Sequence, residues 1–224
     1  ELRVQCPNEM KLTAQSNRTG LTYTVCMKTL IFTGFFRLFL PVMLASTAWS
    51  QTVPESLIIQ ELERTQTEPD SSTTVVIDAP TDYVFTFLTT RLHEYVADAS
   101  ALQFDHSSSG ISDKLSIGTL RTTTMRNGDI LVQRFLIIDK PREFAYYTNM
   151  QHSTIKAPLR YSVSRYELEE LNDMQTQLSV AVTYRATSRL FAFIVRRAFS
   201  SALRRDFERA AGIIGNAYRT EKPS

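Results

Sequence analysis

Residues 175–186 read QTQLSVAVTYRA, and residues 188–218 read SRLFAFIVRRAFSSALRRDFERAAGIIGNAY. In the first segment apolar and polar side chains alternate, which predicts a strand whose buried face is formed by Leu178, Val180, Val182 and Tyr184. In the second segment apolar residues recur every three or four positions, which predicts one long amphipathic helix. The chain therefore closes with a half-buried strand that leads into a long terminal helix.

Further strand patterns precede this pair. The β-branched run 73–78 predicts a first strand that stops at Ala79-Pro80, and two short helices are predicted within residues 81–99. Strand patterns follow at residues 101–106, 115–125, 130–139, 143–149 and 159–168, and Asn127-Gly128 marks a hairpin between two of them. Because no helical pattern separates these strands, the order predicts an α+β fold in which a curved antiparallel sheet wraps around the C-terminal helix. A cavity is expected between the two.

Composition and length agree with one folded domain. The chain has 224 residues, of which 43% are hydrophobic and 21% charged, and this excludes a disordered or fibrous chain. Only two cysteines and three histidines are present, too few for a disulfide framework or a metal cluster built on these residues. We therefore expect neither a metal site nor a cofactor.

The N-terminal part has the pattern of an export signal. Lys28 and Arg37 supply a basic region, residues 38–45 supply a short apolar region, and small residues follow at positions 46–50. Residues 27–50 are therefore interpreted as a signal peptide, and residues 1–26 as upstream translation outside the native protein. The alternative is an uncleaved membrane anchor, which needs about 20 apolar residues in a row, whereas Arg37 and Pro41 interrupt this segment. The prediction is a secreted or periplasmic protein.

Removing the leader changes the charge balance. Residues 1–50 hold five of the 25 basic and two of the 23 acidic residues, which leaves 20 basic and 21 acidic residues in the mature part. A chain of this balance has no electrostatic motive to bind nucleic acid. Residues 51–72 are polar and are interpreted as a loosely ordered leader or linker with one short helix, residues 73–218 as the domain, and residues 219–224 as a tail.

The residues of the domain resemble the START/Bet v 1-like (SRPBCC) superfamily, in its polyketide cyclase/dehydrase-like branch. The resemblance rests on Val75–Pro80 followed by Val84, Phe85 and Leu88, on Gly118-Thr119, on Asn127-Gly128, and on Asp139–Tyr146. It implies a helix-grip fold with a hydrophobic cavity for a lipid, sterol, polyketide or similar molecule. It implies no single activity, because the superfamily shares no catalytic residues.

Candidate ligand-binding residues come from the strands and the final helix. Buried tyrosines need a partner for their hydroxyl groups, so each either forms a hydrogen bond within the core or points at a ligand. An inward arginine would bind a carboxylate or phosphate head group, and Arg134 lies among apolar neighbours. Small residues on the apolar stripe of the helix leave room beside larger ones. The predicted cavity residues are Tyr146, Tyr161, Val180, Val182, Tyr184, Arg134, Phe191, Val195, Ala198 and Ala202.

Three functions fit this sequence. The first is binding of a small hydrophobic ligand without catalysis, and no catalytic residue is assigned. The second is a polyketide cyclase or dehydratase-like enzyme using a cavity Tyr, His or Arg, for which Asp105 and His106 are a candidate base pair. The third is a membrane-associated helper whose basic C-terminal helix contacts anionic lipid, with a solvated helix face as the simpler interpretation.

Overall fold

The computed structural model describes residues 52–222, and for residues 189–195 and 198 it describes the backbone alone. Within this range the chain forms four helices and seven strands. The helices are α1 (Glu55–Thr67), α2 (Thr81–Thr90), α3 (Leu92–Tyr95) and α4 (Arg189–Glu221). The strands are β1 (Ser71–Ile77), β2 (Ala99–Asp105), β3 (Leu120–Met125), β4 (Ile130–Asp139), β5 (Glu143–Asn149), β6 (Leu159–Asn172) and β7 (Gln175–Ala186).

All seven strands form one curved antiparallel sheet in the order β1-β7-β6-β5-β4-β3-β2. Strands β2 to β7 are joined in sequence, and β1 closes the other edge by pairing with β7. The expected α+β architecture is therefore confirmed. The boundaries of β4, β5 and β7 agree with the sequence patterns, and the Asn127-Gly128 hairpin joins β3 to β4 with Gly128 at φ +86°.

One face of the sheet, here called the inner face, packs against α4 and the two short helices. Leu178, Val180 and Val182 are buried on this face, as the alternation in β7 predicts. Phe207 and Ile214 of α4 belong to the same core. Each fully buried side chain of this size contributes about 1.5–3 kcal/mol relative to an exposed one, so this contact stabilises the fold.

Aromatic side chains fill the part of the inner face under the C-terminal half of α4. Phe144 stacks on Tyr166 with ring centres 4.4 Å apart, and Phe207 approaches Tyr166 edge-on at 5.7 Å. Phe85 of α2 meets Phe144 edge-on at 5.6 Å. Such pairs add to the free energy gained by burial alone, and this half of the interior is consequently a packed aromatic core.

The opposite face, here called the outer face, is covered by α1. Ile58 of α1 is buried in an outer cluster with Tyr147, Tyr161 and Val163. Part of residues 51–72, expected to be a loosely ordered leader or linker, is therefore packed against the sheet. The segment contains the 13-residue helix α1, and Ile58 packs this helix against the sheet even though most of its side chains are polar.

The boundaries of the domain also shift outward. β1 begins at Ser71 rather than at residue 73, and α4 continues to Glu221. The expected tail thus starts as helix: Arg91 Nη1 lies 2.7 Å from Glu221 Oε1, and the Tyr83 hydroxyl donates to Glu221 Oε2 at 3.0 Å. Across residues 52–222, none of the helices combines the length and the apolar character that a bilayer crossing requires.

Candidate functional site: a polar row on the inner face

A row of polar side chains crosses the inner face of the sheet. In register, Arg121 of β3 pairs with Gln133 of β4, Gln133 with Thr148 of β5, Thr148 with Ser162 of β6, and Ser162 with Tyr184 of β7. All five are buried. The Tyr184 ring lies 5.2 Å from the ring of Phe199 in α4, so the row ends beside the terminal helix. We call these five residues the polar row.

Arg121 is the charged member of the polar row, and it is fully buried. Its Nε and Nη2 donate to Gln133 Oε1 at 3.0 and 2.7 Å. Its Nη1 donates to the backbone oxygens of Leu88 and Thr89 at 3.3 and 3.2 Å. A guanidinium has five N–H groups, and these bonds use four of them, which leaves one N–H on Nη2.

The surroundings of Arg121 stabilise its charge without neutralising it. Leu88 and Thr89 lie in the last turn of α2, where the carbonyl groups carry partial negative charge. The guanidinium carbon also lies 5.2 Å from the ring centre of Phe135 and 5.0 Å from that of Tyr146. Within residues 52–222 no carboxylate forms an ion pair with it. A buried charge without a counter-ion is costly, and a ligand oxygen at the remaining N–H would reduce this cost.

A second polar atom near the row lacks a partner. Thr123 lies two residues after Arg121 on the same strand, and its side chain is fully buried. Its hydroxyl makes no hydrogen bond among the described residues. An unsatisfied buried hydroxyl costs about 1–3 kcal/mol, so this part of the inner face has both a donor and a hydroxyl available to a ligand.

Three tyrosines lie near the row. The hydroxyls of Tyr146 and Tyr166 are 2.6 Å apart, and the Tyr95 hydroxyl donates to the Leu88 oxygen at 3.2 Å. Burial is the main cause that raises the pKa of Tyr95 and of Tyr166 well above the ordinary tyrosine value. The hydroxyl groups of these two tyrosines are therefore protonated at neutral pH.

The predicted cavity residues divide between the two faces. Tyr146, Val180, Val182 and Tyr184 lie together on the inner face, and Ala202 is half-buried on α4. The side chains of Phe191, Val195 and Ala198 lie outside the described residues, although their backbone belongs to α4.

Two predicted cavity residues lie on the outer face, away from the space between the sheet and α4. Tyr161 is buried against α1 and donates to Glu61 Oε1 at 3.1 Å, and Arg134 Nη2 lies 2.6 Å from Glu55 Oε2. The reason is that α1 covers the outer face, so this face carries buried apolar side chains as well. Apolar residues near Arg134 in the sequence therefore do not show that Arg134 lies on the inner face. Arg121 is the inward arginine that the sequence analysis did not select. Only the pairing of Arg121 with Gln133 distinguishes it, and this pairing requires the register.

The candidate base pair of the enzyme hypothesis does not form. Asp105 Oδ1 accepts a bond from the Ser107 backbone N–H at 2.8 Å, and His106 Nδ1 lies 3.2 Å from Thr119 Oγ1. The side chain of His106 stacks on Phe104. Nor do residues 52–222 contain a group of three or more His, Cys, Asp or Glu side chains arranged to hold a metal ion.

The basic side chains of α4 that the structure describes between residues 196 and 209 point to solvent and are partly paired. Arg204 lies 3.9 Å from Glu208, and Arg209 lies 3.7 Å from Asp206. Arg196, Arg197 and Arg205 are exposed as well. Exposed pairs of this kind contribute little to stability, and the arrangement is typical of a solvated helix face.

Comparisons with known proteins identify the fold. No protein-family model matches the sequence, and no curated protein matches it either. A START superfamily protein from Mycobacterium smegmatis superposes with a TM-score of 0.51 at 10% identity, covering 67% of this chain and 97% of that one. A protein from Thermobifida fusca gives 0.50 at 15% identity, with 67% and 93% coverage. An aromatase/cyclase from Streptomyces sp. R1128 gives 0.47 at 16% identity, with 68% and 94% coverage.

The first two of these likenesses establish the architecture and not the activity, because the identities are low. The chain has the helix-grip fold of the START/Bet v 1-like superfamily. The fold implied by the sequence resemblance is thereby confirmed.

Proposed function

We propose that this protein binds a small, mainly apolar molecule between the inner face of the sheet and α4, with an oxygen of the ligand directed at Arg121. The observation that carries the proposal is the fully buried guanidinium of Arg121, which has no carboxylate partner among the described residues and one N–H left over. Placing a carbonyl or carboxylate oxygen at that N–H satisfies the group and lowers the cost of its burial.

The composition of the inner face supports a ligand that is apolar along most of its length and polar at one position. The aromatic core around Phe144 and Tyr166 offers no charged group, whereas the polar row offers the amide of Gln133 and the hydroxyls of Thr148 and Ser162. Ligand sites in proteins commonly combine apolar walls with a few placed polar groups. A lipid, sterol or polyketide-like molecule that carries an oxygen fits this description.

The same residues favour binding over catalysis. A cyclase or dehydratase-like reaction needs a group that removes a proton, and the raised pKa values of Tyr95 and Tyr166 make these phenols unsuited to that role. Arg121 would polarise a ligand carbonyl in either case. We therefore propose ligand binding without catalysis, with a cyclase or dehydratase-like enzyme as the alternative.

Native mass spectrometry of the purified protein tests the proposal. We expect a small molecule that stays bound to the protein and is lost in Arg121→Met. The matched control is Arg142→Met, because Arg142 is mostly exposed and lies in the turn between β4 and β5. If Arg121→Met fails to fold, Ser162→Leu is the substitute variant, because its larger side chain on β6 takes up space beside the polar row. A molecule retained equally by the inner-face variants and by the control would contradict the proposal.

We further propose that the protein is exported and acts in the periplasm or outside the cell. Support comes from the basic, apolar and small-residue regions in residues 27–50. N-terminal sequencing of the protein recovered from the periplasm or medium is expected to give Trp49 or Gln51 as the first residue. A recovered product that retains residues 1–26 would contradict the export signal, and a membrane-bound product that retains residues 27–50 would support the anchor instead.

A further inference from the structure

The outer face carries a groove of about 940 Å³ at the N-terminal end of α1. Because α1 lies on the outer face and α4 on the inner face, the sheet separates this groove from the space under α4. Its walls come from α1 and the segment before it, from the β5–β6 connection, and from the paired ends of β6 and β7. The lining residues are Thr52, Val53, Pro54, Leu57, Glu61, Met150, Gln151, Leu159, Arg160, Tyr161 and Arg185.

The floor and walls of the groove are largely apolar. Val53 and Leu57 pack against the outer cluster from the α1 side. Met150 and Leu159 face them from the sheet side, and Leu159 also packs against the inner core. A groove of this volume lies within the usual range for ligand pockets, roughly 300–1,000 Å³. It is therefore large enough for a chain of apolar carbons.

The groove carries net positive charge. Arg160 and Arg185 are exposed, and neither forms an ion pair with a carboxylate of residues 52–222. The one acidic residue that lines the groove, Glu61, is buried and already paired: Arg64 Nη1 lies 2.5 Å from its Oε2, and the Tyr161 hydroxyl donates to its Oε1. The two arginines are consequently available to an anion.

We propose that this groove is a second binding site, one for a free single-chain amphiphile with an anionic head such as a carboxylate, sulfate or phosphate. The hydrocarbon chain lies against Val53, Leu57 and Met150, where it is removed from water. The head group lies between Arg160 and Arg185, because guanidinium groups bind planar oxyanions through charge-assisted hydrogen bonds. The proposal goes beyond the inner-face function and stands if that function fails.

Methionine methyl groups provide local reporters for this site. Met150 lines the groove, Met125 packs against the inner core, and Met174 lies in the β6–β7 turn near the Tyr218 hydroxyl. The full chain is labelled with ¹³C at its methionine methyl groups, and the signals are assigned with single Met→Leu variants. It is then titrated with monomeric dodecanoate. We expect a saturable shift of the Met150 signal and no shift of the Met174 signal.

Matched variants identify the head-group contact. In the double variant R160Q/R185Q we expect the affinity reported by Met150 to fall about tenfold or more. The control is R204Q/R205Q, which removes the same charge from two exposed arginines of α4 and is expected to leave the affinity unchanged. Unchanged Met125 and Met174 signals in the free variants verify that the fold is intact. Dodecyltrimethylammonium, with a cationic head, is expected not to compete.

Several results would overturn the proposal. If dodecanoate does not shift the Met150 signal, dodecanoate does not bind in the groove, and the proposal fails. A shift confined to Met125 places the amphiphile on the inner face alone. If R160Q/R185Q binds dodecanoate with the same affinity as the unmodified protein, Arg160 and Arg185 do not contact the head group. A further outcome is that the protein binds anionic vesicles but not monomeric dodecanoate, and that R160Q/R185Q abolishes the vesicle binding. In that case the two arginines contact a lipid surface instead.

Discussion

Two threonines with fully buried side chains, Thr123 and Thr183, differ in their hydrogen bonding. The Thr183 hydroxyl donates to the Glu61 backbone oxygen at 3.1 Å, whereas the Thr123 hydroxyl has no partner among the described residues. Valine has nearly the same shape and no hydroxyl. We therefore predict that Thr123→Val raises the free energy of unfolding by up to about 1 kcal/mol, and that Thr183→Val lowers it by about 1 kcal/mol.

Urea denaturation of both variants measures this difference. Opposite signs support the view that the Thr123 hydroxyl is unsatisfied until a ligand is bound. An equal loss in the two variants would show that Thr123 has a partner in the free protein, and the argument for a polar ligand atom near β3 would lose one of its two supports.

Tyr161 makes the stability depend on pH in the alkaline range. Burial, together with the negative charge of Glu61, raises its pKa to about 12 from the ordinary value near 10. Above pH 10 the unfolded chain releases a proton that the folded protein retains, so the free energy of unfolding falls as the pH rises from 10 to 12. In Tyr161→Phe we predict that the free energy of unfolding declines with pH less steeply than in the unmodified protein, by up to about 1.4 kcal/mol per pH unit. Urea denaturation at several pH values measures this difference. Identical slopes in the two proteins would contradict this.

Single residues are also where sequence reasoning was least complete. The sequence pattern selects Arg134 as a possible inward arginine, whereas the arginine buried on the inner face is Arg121. Within one strand the alternation separates two faces, but it does not show which face meets α4 when both are covered. The distinction depends on strand register and on α1, and neither is contained in the local pattern around Arg134.

At the level of the elements, α1 is the feature that departs from the sequence prediction. Ile58 and Ile59 are adjacent and chemically identical, yet Ile58 is 3% exposed and Ile59 is 50% exposed. If α1 is part of the fold, Ile58→Ala should lower the free energy of unfolding by about 2–4 kcal/mol. Ile59→Ala should change it by about 0.5 kcal/mol or less.

Thermal and urea unfolding of the two variants provide the measurement. Both substitutions make the same change to helix propensity, so the difference between them reports the burial of Ile58 against the sheet. A difference close to zero would mean that α1 is a tether, as its polar composition first indicated, and the outer groove would lose one of its walls.

Most other elements could be predicted because their patterns are local. The alternation in β7 and the spacing of three and four in α4 each identify an element and its buried face. α1 has the same kind of apolar spacing, but of its buried residues Ile58, Glu61 and Thr65 only Ile58 is apolar. Much of its attachment is through polar groups, such as the hydrogen bonds of Tyr161 and Thr183 to Glu61, and such contacts leave no apolar pattern that distinguishes the helix from a linker.

For the whole molecule, the sheet separates two environments with different chemistry. The inner face combines an aromatic core with a buried guanidinium, and the outer face combines an apolar groove with exposed arginines. The helix-grip fold accounts for the first, and the added helix α1 accounts for the second. For the inner face we propose that Arg121 binds an oxygen of the ligand.

The Nε–H resonance of Arg121 in ¹⁵N-labelled protein tests that claim most directly, because this group is buried and bonded to Gln133 Oε1. Two probes are compared, 2-naphthoate and 2-methylnaphthalene, which share their apolar rings and differ in the carboxylate. We predict that both shift the methyl signal of Met125 and that only 2-naphthoate shifts the Arg121 resonance. An Arg121 resonance that stays unmoved while 2-naphthoate saturates the Met125 shift would contradict the account.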